Sequence, residues 1–432
     1  MRFKKYILLL LVLCALVSCS DDNMIGIPEA PVLEKAQLAL AIKSEKGTTT
    51  KAGEEVASTD ADVNTLTIGV FGTGWKVVYT VSGSDITKTT TDNVATQEVG
   101  PKEVYAGAAD VIVVANASTG VQTALSNAGT KDAFLSTVIK LEEEDLTKGL
   151  TMSSEVLSVD LVANTTNFIG YASKKDEMIT VGGKTGKEVY GDGPVRLVRD
   201  VASIALDFVV IGNPDKANYE SKSFTLKEVF IASAKGVSSV ASSGYWGSIE
   251  KAFNFTESGF GYSDYKVGQK FSTTPANIDE GSYKRGTQTV LSRLLVENTE
   301  GSARNHEFYV YENKQGEIKE GSETGANRDY ANHTLLIVKG DYTYLPKGLA
   351  DTDANYVTKK DCYYAVPVGA EVTINNKTES GFYVQRNYKY EIKLTIIGPG
   401  SEIPYDPMVS ANVSASVKVT PWNVKEIHEN VE

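Results

Sequence analysis

Short runs rich in Val, Ile, Tyr and Thr, broken by Gly, Asn, Asp and Ser, recur along almost the whole chain. No other feature limits the fold so tightly. Leu66, Ile68 and Val70 alternate with other residues from Thr65 to Phe71, and Val77, Tyr79 and Val81 do so after Trp75. A period of two puts each such set on one face of a strand. Val111 to Val114 is apolar throughout, as expected of a strand buried on both faces. Comparable runs span 198–211, 224–231, 289–296, 307–311, 334–338, 363–368, 388–397 and 412–420. Short strands with frequent turns predict a mostly β chain built as sandwiches. One stretch breaks the pattern: from Lys131 to about Leu146, Phe134, Val138 and Leu141 follow helical spacing, with Thr130 as N-cap, predicting one short helical segment. The loop Gly182 to Pro194 is glycine-rich and predicts a boundary between an N-terminal domain over 52–192 and a C-terminal domain over 193–432. The polar insertions Ser233–Gln288 and Lys314–Asn332 read as elaborated surface loops.

The front end fixes the compartment. Arg2, Lys4 and Lys5 precede an apolar run, Ile7 to Val17, that is too short for a spanning helix, which needs about 20 residues. It has the form of a signal peptide over 1–18. The run closes on Leu16-Val17-Ser18-Cys19, which resembles a bacterial lipobox, so Cys19 is the expected lipidation site. Ser20-Asp21-Asp22-Asn23 resembles a surface-export tag. Attachment to the outer membrane is therefore expected through lipid on the precursor. Cys14 leaves with the signal, which makes Cys362 the one remaining thiol and rules out an intramolecular disulfide. The formal charge is −12, which excludes nucleic acid as a partner for want of cations to neutralise phosphates.

Catalytic and metal-binding patterns do not emerge. His306, His333 and His428 are scattered, with no ligand spacing for zinc. Cys362 has no neighbouring base and reads as a small core residue. Gly182-Gly183-Lys184-Thr185-Gly186 lacks the leading glycine of a phosphate loop, because that position is Met178, and it reads as a turn. Gly69 to Gly74 reads as a hairpin loop, and the acidic run Glu142 to Asp145 as a solvated face. The expectation is a protein without enzymatic activity, cofactor or metal.

Four further segments carry a resemblance. Leu38, Leu40 and Ile42 alternate with Ala39, Ala41 and Lys43, followed by Gly47-Thr48-Thr49-Thr50-Lys51-Ala52-Gly53 and then Asp62 to Phe71. Val198-Arg199-Asp200-Val201-Ala202-Ser203-Ile204 opens the second half, and Arg386-Asn387-Tyr388-Lys389-Tyr390-Glu391-Ile392 lies near the end. The chain closes on Val413-Ser414-Ala415-Ser416-Val417-Lys418-Val419-Thr420-Pro421-Trp422 before a short tail. In this order, and behind a lipobox, these segments resemble the fimbrillin family of type V pilus subunits, in particular stalk subunits of the minor-fimbrium type.

The resemblance implies two transthyretin-like β-sandwich domains and a lipidated pro-segment, here 19–51. It implies a leaving strand at Leu38, Leu40 and Ile42, and a cut between Lys51 and Ala52 with Lys46 as the other basic candidate. It also implies a C-terminal donor strand carrying Trp422, Val424, Ile427 and Val431. The partners would be further copies of the chain in a head-to-tail polymer, together with anchor and tip subunits. Two other roles stay open. An anchor or tip adhesin of the same family would keep its N-terminal segment or lack the donor. A surface glycan-binding lipoprotein would present tryptophans, yet Trp75, Trp246 and Trp422 are far apart in sequence.

Overall fold

The computed structural model describes residues 33–44, 62–91, 94–145, 148–212, 218–232, 237–240, 307–313, 334–374, 377–402 and 413–421. Cys19, Lys46, Lys51, Ala52, the three histidines, the run 289–296 and the tail with Trp422, Val424, Ile427 and Val431 lie outside the described residues.

The first half supplies β1 (Lys35–Ser44), β2 (Thr65–Gly72), β3 (Trp75–Ser82), β4 (Ile86–Thr91), β5 (Val94–Tyr105), β6 (Gly107–Ala115), β7 (Val138–Lys140), β8 (Met152–Ser153), β9 (Leu157–Leu161), β10 (Thr166–Ile169), β11 (Met178–Val181), β12 (Lys184–Glu188) and β13 (Val195–Arg199). All but β7 join one twelve-stranded array. One leaf holds β11, β12, β10, β1, β5 and β4; the other holds β8, β6, β2, β3 and β9, and β13 pairs into both. Leu38, Leu40 and Ile42 of β1 meet Leu66, Ile68 and Val70 of β2 in the core between the leaves.

The second half supplies β14 (Val201–Ile211), β15 (Tyr219–Ala232), β16 (Val237–Ser239), β17 (Glu307–Tyr311), β18 (Leu335–Pro346), β19 (Val357–Pro367), β20 (Ala370–Ile374), β21 (Lys377–Tyr383), β22 (Tyr388–Ile396) and β23 (Val413–Pro421). Sheets ordered β17-β14-β22-β23 and β15-β18-β19 enclose a second core, and β20 pairs with β21. The architecture is mostly β, as the alternation predicts.

Strand β6 shows how tightly the two cores are joined. Val111 and Val113 enter the first core, whereas Ile112 and Val114 enter the second. The unbroken apolar run is thus explained: successive side chains point to opposite faces, and each face meets a different core.

The helical expectation needs correction. Helix α1 (Thr119–Asn127) was not anticipated, and α2 (Lys131–Leu135) is much shorter than the predicted segment. Thr130 does cap α2, its hydroxyl accepting from Ala133 N at 3.2 Å. After Leu135 the backbone turns and becomes β7, because pairing of Val138–Lys140 with β16 competes successfully with helix propagation. That pairing also corrects the reading of 233–288 as surface loop throughout. Ser238 and Ser239 are buried. Cys362 is buried and free, as read from its surroundings in sequence. Among the described residues no helix is long and apolar enough to cross a membrane, and no cluster of His, Cys, Asp and Glu is arranged to hold a metal.

Candidate functional site

Strand β1 is enclosed by partners along both of its edges. Along one edge it runs antiparallel to β5, from Lys35 opposite Tyr105 to Ser44 opposite Ala95. Along the other it runs parallel to β10 through Leu40 and then to β13 from Ile42. Leu38, Leu40 and Ile42 are each 0% exposed. All three residues singled out from the sequence therefore share one core-facing stripe.

The change of partner from β10 to β13 requires a special corner. Gly170 ends β10 at φ +85°, and a Cβ there would crowd Ala41 O and Val195 N. A glycine tolerates both the dihedral and the approach. The corner is held by Glu188, a buried carboxylate at the end of β12. Its Oε1 accepts from Gly170 N (3.2 Å), Tyr190 N (3.0 Å) and Gly191 N (3.0 Å), and its Oε2 from Tyr171 N (3.0 Å) and Ala172 N (3.2 Å). Tyr171 in turn donates its hydroxyl to Leu40 O at 3.2 Å, tying the corner to β1. Nothing local in the sequence marks Glu188, since its five donors come from two separate turns. Glu188→Ala should destabilise the chain by about 3 kcal/mol or more, because five buried or half-buried backbone N–H groups lose one shared acceptor. Urea unfolding of the variant measures this.

A second constellation joins the halves. Arg386, just before β22, donates from Nε and Nη2 to Glu312 at 2.9 and 2.7 Å. Its Nη1 reaches Asp200 Oδ1 at 2.8 Å, and Nη2 also reaches Ser239 O at 3.1 Å. Ser153 of β8 donates to the same Asp200 oxygen at 2.7 Å. Beside them Glu144 accepts from Tyr311 Oη at 2.9 Å and from Thr151 N at 2.9 Å. Asp200 and Glu312 are 0% exposed and Arg386 and Glu144 each 7%. Glu144 thus overturns part of the solvated-face reading: Glu143 is exposed, but its neighbour is buried.

Burial dominates the electrostatics. It pushes the Asp200 carboxyl up to about 7, against the opposing pull of Arg386 and the hydrogen bond from Ser153. Burial likewise raises Glu312 despite Arg386, and raises Glu144 despite its two donors. Asp200 Oδ2 is buried without a hydrogen-bond partner among the described residues, so a proton can sit there while Oδ1 keeps its contacts. Arg386 remains charged. Desolvation works against its ionised form, but Asp200 and Glu312 outweigh it. The arrangement is a clamp between sheets.

Known proteins match this architecture over nearly its full length. The family model described as "Major fimbrial subunit protein (FimA)" matches residues 36–199, which corresponds to the interval from β1 to the end of β13. The major fimbrium subunit FimA type-2 of Porphyromonas gingivalis is 24% identical over 441 residues, covering 98% of each chain. A crystal structure of a protein described as a cell adhesion protein from Parabacteroides distasonis is 63% identical, with a TM-score of 0.68, over 91% of this chain and 100% of that one. The crystal structure of a fimbrilin from Porphyromonas gingivalis W83 shares the fold at 20% identity and a TM-score of 0.50, over 90% of this chain and 98% of that one. Residues 36–199 thus match the FimA model, and the chain over nearly its whole length is similar to fimbrial subunits and cell adhesion proteins, which are structural proteins rather than enzymes.

Proposed function

We propose that this chain is a stalk subunit made as a lipoprotein precursor lipidated on Cys19, and that it polymerises by protease-triggered strand exchange. The carrying observation is β1: a strand near the N-terminus, paired on both edges and buried at every position but Lys35, Gln37 and Lys43, followed at once by the link that contains Lys46 and Lys51. A cut in that link frees β1 from the rest of the chain. Its departure leaves two rows of unpaired backbone groups and an open apolar slot. A strand from a neighbour satisfies the backbone, and alternate side chains refill the slot. The donor is the tail beyond Thr420, with Trp422, Val424, Ile427 and Val431 as the inserting residues. A head-to-tail contact of this kind need not close, so it grows as a filament of identical copies, with anchor and tip subunits at its ends. Two sandwich units divide the mature chain. The sequence reading set the junction at 192–193, and the pairing of β13 with β1 and β8 supports moving it to Arg199.

Replacing both Lys46 and Lys51 with alanine should give a membrane-bound precursor that forms no heat-stable ladder on a denaturing gel. A chain ending at Thr420 should be processed normally and also fail to extend. N-terminal sequencing of the wild-type monomer identifies the bond. Ladders from either variant would overturn the corresponding half of the reading. Labelling with a fatty-acid analogue tests Cys19, and Cys19→Ala should remove the label and the surface protein together.

A further inference from the structure

A cleft of about 810 Å³ opens at the end of the first sheet array that carries the β2–β3 hairpin. That volume lies within the range of about 300–1,000 Å³ typical of small-ligand sites. Its walls come from the hairpin, from β6 and β9, and from the turn between α1 and α2; no residue of β1 lines it. The hairpin contributes Trp75, half-buried, whose partner across the ladder is Gly72. A Cβ at Gly72 would overlap the indole, so the ring rests directly on glycine backbone. Tyr105 meets it edge to face, with centroids 5.5 Å apart. The indole is therefore held in place before any ligand arrives.

Polar groups converge on the same space. Asp110 of β6 binds Lys131 Nζ through Oδ2 at 2.7 Å and Ser158 Oγ through Oδ1 at 2.6 Å. Each carboxylate oxygen has a further lone pair to offer. Burial works to raise the Asp110 pKa, but the bonds from Lys131 and Ser158 outweigh it, and the group stays an acceptor. Asp160 and Thr130 add exposed oxygens, and Lys76, also in the wall, is directed to Ala128 O at 2.5 Å. Two carboxylates offset two ammonium groups, so the cleft as a whole favours neither a cation nor an anion.

We propose that this cleft binds a neutral pyranose residue of a glycan. A pyranose ring carries an apolar C–H face, which suits an amphipathic indole, and a rim of hydroxyls. Those hydroxyls match the mixed acceptors and donors of Asp110, Asp160, Lys131 and Ser158. The inference goes beyond strand exchange and does not depend on it, because the lining residues belong to other strands.

The test uses the full chain in detergent solution on an array of hexose- and N-acetylhexosamine-terminated, sialylated and sulfated glycans. Binding to at least one neutral glycan is expected, weakened roughly ten-fold or more by Trp75→Ala, the scale of one aromatic contact. Trp75→Phe should retain part of the affinity, and an unchanged thermal melt separates lost binding from lost fold. In a Trp246→Phe, Trp422→Phe background, emission from the one remaining indole should shift on titration with the neutral glycan that binds. Three results would overturn the proposal: binding confined to anionic glycans, binding to no glycan, or equal binding by Trp75→Ala. A fluorescence spectrum that does not move on saturation would do so as well.

Discussion

Replacing Arg386 with methionine should cost about 3–5 kcal/mol at pH 8, because it strands ionised carboxylates in a buried site. The loss should shrink as the pH falls. Asp200 ordinarily titrates near 3.8 and in the fold is pushed up to about 7. Between those values the folded state binds the extra proton, so this group makes stability fall as pH rises from about 4 to about 7. Without the guanidinium the buried acids titrate higher still, and the penalty continues to grow above neutrality. Urea unfolding of wild type and variant at pH 5 and pH 8 measures the difference. A deficit of equal size at both values would mean that the guanidinium does not hold the carboxylates charged. Asp200→Asn should flatten the wild-type profile across the same window, and Arg386→Lys should recover only part of the stability, since an ammonium cannot make the two-pronged contact with Glu312.

Loss of β1 should be at least as severe. Leu38, Leu40 and Ile42 are fully buried, and at about 1.5–3 kcal/mol each their exposure removes about 4.5–9 kcal/mol before any backbone term. A chain with an engineered protease site between 45 and 51, cut and freed of β1 in denaturant, should refold with a much lower Tm. It should also bind a hydrophobic dye that the intact chain ignores. Adding a peptide of the β1 sequence should restore both properties, whereas the same peptide with Leu40→Asp should not. A stripped chain that melts like the intact one would show that the slot closes without a strand.

The parts of this fold that were legible in the sequence are those written in local alternation. Strand β2 shows Leu66, Ile68 and Val70, and the same three line the first core. The run Val111 to Val114 gave the two-sided burial of β6 directly, though not that the two sides belong to different cores. The stripe of β1 was equally plain. Helix α1 left little trace, because only Val121 and Leu125 of its nine residues are buried and two contacts make no period. Its one sequence signal was Ser118, whose hydroxyl accepts from Val121 N as an N-cap. The clamp was invisible for a different reason. Asp200 and Arg386 both lie in segments that carried the family resemblance, yet they meet across 186 residues, a separation that local pattern does not encode. Glu144 and Glu188 were hidden likewise, since a charged residue reads as solvated until the donors that surround it are known.

The geometry of β1 has a mechanical consequence. Its ladder to β5 runs antiparallel from Lys35 to Ser44 with one register shift between Leu38 and Leu40, and parallel partners line the opposite edge. Hydrogen bonds in such a ladder lie across the strand axis. A force along that axis loads all of them in shear at the same moment, and no bond can fail alone. A force that lifts one end sideways meets them singly, in the manner of a zipper. Any strand seated in this slot inherits both properties: it resists being drawn out lengthwise by flow, and it gives way stepwise to a competitor that enters from the end.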